Sequence, residues 1–398
     1  MPGNTNLVND LVMKEGVRTF RNNTVFANSI KREYDSSYVT MGAKPGDTIR
    51  IQKPQLFSTR STKAISVQDV TQTSKSLAVA TITGIDIKYS SAELTQDNVD
   101  RFNQSKLRPA MAALAAKVDS SMLSTVYKQI NQAVTLPVTN LDRADVLRAG
   151  VKLDNSSAPR DGNRTILLPP QGMMDVTNDM SGLFNAAPNV SQQYKDGIVS
   201  MPSVGFNFGM SQNMPTHTTG GYDANYDVAT APANGATSLA VDTGTGTITA
   251  GDTFTIDSVF EVNKLTKQST GVLKQHVVTT ASAGGTVTLT LEEGIYFEGP
   301  LQNVDSQPAV NDDLVFMGTA STAYPQSIAY HKDAFCAGFA DLEIPRGATW
   351  GSRVVEDGIS MRMLEWYDGN NDDSYLRFDV VHGIVTVIPD FACRLYGF

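Results

Sequence analysis

At 398 residues, with 41% hydrophobic and 18% charged side chains, the chain is long enough for two or three domains with cores of their own. Its net charge is −9 and it has no run of four Lys/Arg, which argues against sequence-independent phosphate binding; an acidic balance keeps a protein soluble and off enclosed nucleic acid. Cys336 and Cys393 are far apart and set among apolar residues, so they read as buried free thiols rather than as the staples of a secreted fold.

The N-terminus lacks the basic and apolar regions of a signal peptide, and no stretch approaches the roughly 18 apolar residues of a membrane span. These features predict a soluble intracellular setting. Residues 1–43 form a polar lead-in with one amphipathic helix candidate, Leu7 to Phe20. Leu7, Leu11, Val12 and Val17 give it a narrow stripe that Gly16 interrupts, and Lys31-Arg32-Glu33 follows. The expectation is an extended arm that gains order by lying on something else.

Residues 44–90 change to β-pattern. A turn at Pro45-Gly-Asp-Thr48 leads into alternating Ile49 to Lys53, then Ser66 to Val70, Leu77 to Ile82 and Ile85 to Lys88. This predicts a long two-stranded excursion with little core, and such hairpins are marginal alone in water. Lys44, Arg50, Lys53, Arg60 and Lys63 make its outgoing half basic, with Asp47 the only acid. Those cations either line a solvated strand face or make a charge-matched contact with an acidic neighbour.

From Asn98 to Val134 runs the stretch that organises the chain. Leu107, Met111, Leu114, Val118, Met122, Val126, Ile130 and Val134 recur every three or four residues, a continuous stripe on one helix face. Pro109 suits the first turn, or else marks a kink. From Pro109 to Val134 the rod would be about 39 Å long, the backbone of a flat, extended subunit.

A shorter helix, Leu141 to Leu153, follows with Asn140 as its cap, then a buried strand Arg164 to Leu168 and a helix Met173 to Met180. Phe184 to Tyr194 reads as a surface loop, Ile198 to Phe208 as a strand pair, and His217 to Tyr222 as a flexible hinge. Between 222 and 326 the composition turns to Thr, Val and Gly. Strands are expected at Ser238–Val241, Thr253–Ile256, Val259–Val262, Lys274–Thr279, Thr286–Leu291 and Leu314–Phe316. That spacing argues for a small β-barrel or sandwich inserted into the surrounding domain. Two strands close the chain, Leu376 to Thr386 (continuing through Ile388) and Ala392 to Tyr396, separated by Pro389-Asp390.

No catalytic set is present. His217, His276, His331 and His382 are scattered without zinc spacing and read as satisfied structural or exposed histidines. No nucleophile elbow, P-loop or dinucleotide fingerprint occurs. Asp368-Gly-Asn-Asn-Asp-Asp373 lacks the sixth-position Gly and twelfth-position Glu of a calcium loop and reads as an acidic hairpin tip, and Glu292-Glu293 as a turn. No enzyme activity, metal or cofactor is expected.

Tyr89-Ser-Ser-Ala-Glu-Leu-Thr95, followed by Leu107-Arg-Pro-Ala-Met-Ala-Ala-Leu-Ala-Ala-Lys-Val-Asp119, resembles the start of the spine helix in tailed-phage major capsid proteins. The resemblance is to the P22 coat protein-like subgroup. Gly251–Ile256, Val259–Gly271, His331–Phe335 and Arg377–Gly383 through Pro389 to Arg394 are similar to phrases of the same subgroup in the same order, so that the likeness runs from about residue 40 to the end.

The resemblance implies an α+β, HK97-like capsid fold. Its parts would be an N-terminal arm (1–43), an extended loop (44–88) lapping a neighbour and a peripheral domain with the spine helix (89–164). An axial domain (165–221 and 327–375), an inserted β-barrel (222–326) and peripheral return strands (376–398) would complete it. It also implies assembly into hexamers and pentamers, a separate scaffolding protein, a portal at one vertex and encapsidated double-stranded DNA without sequence-specific contact. The virion capsid would be assembled in the host cytoplasm, with no membrane partner. Arg50, Lys53, Arg60 and Lys63 are the candidate inter-subunit residues. Competing readings are an encapsulin-like compartment, a surface adhesin or carbohydrate-binding module, and a hydrolase with an unrecognised site.

Overall fold

The computed structural model describes residues 5–35, 48–57, 63–65, 67, 73–90, 103–135, 140–180 and 203–397. The expected loop at Phe184–Tyr194, the turn at 45–47 and most of the strand at Ser66–Val70 lie outside them. The chain divides into two compact units: residues 1–51, 75–122 and 335–385, and residues 52–74, 123–334 and 386–398.

In the first unit, helix α1 (Thr5–Asn23) buries Val12, Met13, Val17 and Phe20. Gly16 does not break it; it faces Met111 and Phe378 at ordinary contact distance. Strand Lys31–Asp35 then pairs in parallel with Phe335–Ala340, Lys31 opposite Cys336. Residues 5–35 therefore pack on their own chain. The tie is explicit. Asp119 accepts hydrogen bonds from the backbone N–H groups of Val25 (2.7 Å), Phe26 (3.2 Å) and Ala27 (3.2 Å). Burial raises the Asp119 pKa, and those three donors oppose the rise.

Helix α2 spans Arg108–Val126, about 28 Å, shorter than the rod expected from the stripe. Pro109 occupies its first turn, directly after a π-helical turn at Asn103–Leu107. Leu107, Met111, Leu114, Val118, Met122 and Val126 are buried, while Ala113, Lys117, Ser124 and Thr125 are exposed. The helix ends early because Gln132–Thr135 is a strand, in parallel register with Ala392–Tyr396. Ile130 and Val134 fit a helical period, but strand pairing decides their state.

The sheet of this unit runs Lys31–Asp35, Phe335–Ala340, Asp373–Thr386, Ile359–Asp368, Trp350–Glu356, with Thr81–Ser90 also paired to Asp373–Thr386. Ile359–Asp368 and Asp373–Thr386 are the two arms of one hairpin that spans the 375/376 position. The compact division comes at 385/386.

In the second unit a six-stranded sheet is ordered Gln132–Thr135, Ala392–Tyr396, Ala323–His331, Arg164–Leu168, Asn207–Met210, with Thr216–Thr218 on Ala323–His331. Helices α3 (Arg143–Asn155) and α4 (Pro170–Met180) share its core through Val146, Ala149, Leu153, Met173 and Val176. The cap of α3 is Asp142 rather than Asn140. Its carboxylate accepts from Asp145 N–H and the Asp145 side chain reaches back, a reciprocal box.

Between residues 222 and 322 the chain forms two three-stranded sheets. One orders Val287–Ile295, Ala236–Asp242, Asp227–Val228; the other Ser269–Val277, Thr253–Val262, Leu314–Phe316. Thr253–Ile256 and Val259–Val262 join in one strand with register shifts where two were expected. Both sheets bury the same core of Tyr226, Leu239, Val241, Phe254, Ile256 and Leu289. The hinge expected at His217–Tyr222 is instead structured: His217 is buried, with Nε2 2.9 Å from Asp252 Oδ1, and a Cβ on Gly220 would meet the Thr247 carbonyl at 2.2 Å.

Candidate functional site

The excursion begins with Thr48–Gln52 paired to Ser74–Ala78, extended by Lys53 N–H donating to Thr73 O at 3.0 Å. Its base is clamped. Leu77 and Val79 are fully buried over Gly338, where a Cβ would come within 2.6 Å of Leu77 and 2.8 Å of Val79. At Gly383 a Cβ would lie 2.0 Å from the Ala78 carbonyl. Beyond the base, Phe57, Ile65 and Val67 are 56, 83 and 86% exposed. Three large apolar side chains left open on one short segment mark an interaction surface more than a fold requirement.

Of the four candidate cations, Arg50 lies exposed on the outgoing strand, Lys53 half-buried just beyond it, and Lys63 exposed on the excursion; Arg60 is outside the described residues. Among the described residues, Arg50, Lys53 and Lys63 share the excursion without lining a common pocket.

Candidate chemistry elsewhere resolves into structure. All four histidines are buried. His331 Nε2 lies 3.0 Å from Asp161, whereas among the described residues neither ring nitrogen of His382 has a partner, and that ring is buried. Both cysteines are free and buried, and burial pushes their thiols up to about 12. Asp368–Asp373 is a hairpin tip in which Asp368 accepts from Asn370 N–H and Asn371. Among the described residues no group of three His, Cys, Asp or Glu is placed to hold a metal ion.

Sequence reasoning missed a buried ionic cluster. Lys274 Nζ lies 2.9 Å from Asp390, 3.6 Å from Glu261 and 3.7 Å from Glu293, and Lys264 bridges Glu293 and Asp390. Glu293 is thus inside a strand as an ion-pair partner, not in the expected turn. Burial alone would lower the pKa of Lys274 and raise that of Asp390, but the opposite charges win in both. The cluster fixes the 222–326 sheets to the turn Pro389–Phe391 before the last strand. Arg394, fully buried, adds a second tie by donating to Gly251 O at 2.8 Å and to the Thr253 hydroxyl.

A second missed signal is where the charge lies. Residues 222–326 hold 12 Asp/Glu against three Lys, while the rest of the chain is balanced at 29 of each sign. The net charge of −9 belongs to that segment alone. With Lys264 and Lys274 taken up in the cluster, its surface is almost wholly acidic.

Clamped loops, open apolar tips and segregated charge, with buried polar groups spent on cohesion, define a structural subunit whose chemistry is contact with other molecules. The family is shown directly: residues 1–397 match the model described as P22 coat protein - gene protein 5, and the chain belongs to that family. It is a major capsid protein, a shell-forming subunit and not an enzyme. A similar curated protein is the major capsid protein of Acyrthosiphon pisum secondary endosymbiont phage 1, 22% identical over 98% of each chain. Solved structures with some likeness include Mycobacterium phage Che8 (12% identity, 94% of this chain and 90% of that one, TM-score 0.45). Others are the capsid of cyanophage P-SCSP1u (10%, 94% and 88%, 0.47) and the SrpI encapsulin complex of Synechococcus elongatus PCC 7942 (8%, 92% and 84%, 0.42). Those scores carry no weight beside the family match.

Proposed function

We propose that this subunit builds, as hexamers and pentamers of itself, the icosahedral shell around the double-stranded DNA of a tailed phage. In this reading the shell forms in the host cytoplasm as a procapsid on a separate scaffolding protein, carries a portal at one vertex and expands as DNA enters. The fold is HK97-like, with residues 222–326 as an inserted β-barrel, residues 44–88 as the loop that laps a neighbour, and α2 as the spine of the peripheral domain. Arg50, Lys53, Arg60 and Lys63 are its inter-subunit cations.

The observation that carries the reading is the family match over 1–397, and the exposed Phe57, Ile65 and Val67 support the role given to the loop. Excising 50–85 is a poor test, because Thr81–Ser90 pairs with Asp373–His382 and half of that ladder would be lost. Replacing 54–72 by a short Gly-rich turn keeps the paired strands. The expected result is a folded, soluble subunit that no longer forms closed particles by electron microscopy, where the parent forms shells containing DNA. Normal shells from the deletion refute the loop's role, and expanded particles from infected cells that hold protein cargo instead of DNA refute the genome-enclosing role.

A further inference from the structure

The excess negative charge of 222–326 is exposed most openly at one sheet edge. Leu314–Phe316 is the last strand of its sheet, joined to the other sheet through the Asp227–Asp313 bridge, with Val315 59% exposed and Val310, just before it, 52% exposed. Asp257 N–H donates to Asp313 O at 3.0 Å, which sets Asp257 beside Asp313, and Asp305 N–H donates to Phe260 O at 3.1 Å, three residues further along the same strand. Asp312 adjoins Asp313, and among the described residues none of the four carboxylates is in an ion pair; those of Asp257, Asp305 and Asp312 accept only local backbone or hydroxyl groups. Like charges gathered beside exposed valines are unfavourable in a lone molecule and become favourable against a cationic, apolar partner.

The same chain carries such a partner. Between Thr48 and Val67 it has Arg50, Lys53, Arg60 and Lys63, no acid, and the open side chains of Phe57, Ile65 and Val67. We propose that the acidic edge formed by Asp257, Asp305, Asp312 and Asp313 is the surface on which the basic excursion of a second copy docks. The inference rests on the shell-subunit reading and adds to it the identity of the lapped surface. The contact is heterologous, a loop of one copy against an edge of the next, and heterologous contacts propagate into rings or closed shells.

Two measurements test it on the full chain. First, Arg50→Glu with Lys63→Glu, and separately Asp257→Lys with Asp313→Lys, should each cut the yield of closed particles about tenfold, and all four together should restore much of it. Shells unaffected by either reversal, or a quadruple variant no better than the worse parent, overturn the proposal. Second, Lys63→Cys with Asp313→Cys in assembled particles should give disulfide-linked dimers and higher multimers on a non-reducing gel. The native cysteines are buried and contribute little background. Shells that form normally and yield only monomer overturn the docking while leaving the shell reading intact. If the unmodified chain forms no closed particles in infected cells, where its scaffolding protein is present, it is the shell reading that fails.

Discussion

Lys274 Nζ sits 2.9 Å from Asp390 Oδ1, with both side chains 2 to 3% exposed, so one ion pair joins a strand of the 222–326 sheets to the turn before the last strand. Removing one partner from such a pair strands the other without water. Lys274→Met leaves Asp390, Glu261 and Glu293 with only Lys264 between them. It is expected to destabilise the unassembled subunit by about 3–5 kcal/mol, read as a fall in urea midpoint. Lys264→Met, at a site 20% exposed, should cost clearly less. Equal effects would mean that the two lysines are interchangeable and that burial does not set the cost.

Asp119 predicts a second asymmetry. Its carboxylate receives three backbone N–H groups from Val25, Phe26 and Ala27, so Asp119→Ala orphans three donors, two of them in buried bonds. A loss of roughly 2–4 kcal/mol follows. Early protease cleavage near residues 24–30 should accompany it, because this is where the N-terminal segment is held. Asp119→Asn retains an acceptor and should fall between the two. If Asp119→Ala matches the parent in both assays, the N-terminal segment is held by its apolar contacts alone.

Much of this was legible in the sequence. The α2 stripe, the buried strand Arg164–Leu168, helix Pro170–Met180 and the closing strands follow from local periodicity, which one residue's neighbours determine. What was not legible depends on pairing. Val134 continues a helical period, yet Gln132–Thr135 lies in parallel register with Ala392–Tyr396, some 260 residues away in sequence. His217-Thr-Thr-Gly-Gly-Tyr222 has the composition of a hinge, but its glycines serve close approach to Thr247 and its histidine a buried carboxylate. The excursion's cations could be read directly, whereas the acidic edge they match required Asp257, Asp305 and Asp313 to be brought together by sheet formation.

Two glycines give a matched test of the clamp at the excursion's base. A Cβ at Gly383 would lie 2.0 Å from the Ala78 carbonyl, a backbone atom that cannot move aside alone, whereas a Cβ at Gly347 meets nothing within 4 Å. Gly383→Ala should therefore open the base and destabilise the subunit by about 1–3 kcal/mol, a typical cost of overpacking. Gly347→Ala should be neutral or slightly stabilising by restricting the unfolded chain. Hydrogen exchange should locate the change at Ser74–Ala78 in the first variant and nowhere in the second. Unchanged protection there would show that the strand can shift without cost.

Two buried histidines, His276 and His382, shape the response to acid. Burial lowers His382 from 6.5 to about 4, and His276 to about 3, with Lys274 adding to the effect at His276. A depressed folded value means that the unfolded chain binds the proton first. The contribution of each neutral imidazole is thus complete above about pH 6.5 and is lost as pH falls toward its folded value. For His382 the loss approaches roughly 3 kcal/mol at about 1.4 kcal/mol per unit. Asp390, held low by the two lysines, contributes only below the ordinary aspartate range near 4, and the raised Asp119 works with the opposite sign. Between about pH 6.5 and 4.5 the decline therefore belongs to the imidazoles. The unfolding midpoint of the unassembled subunit should fall steadily across that interval, and His382→Gln, which cannot be protonated, should flatten the slope by about half. An unchanged slope in that variant would assign the acid sensitivity elsewhere.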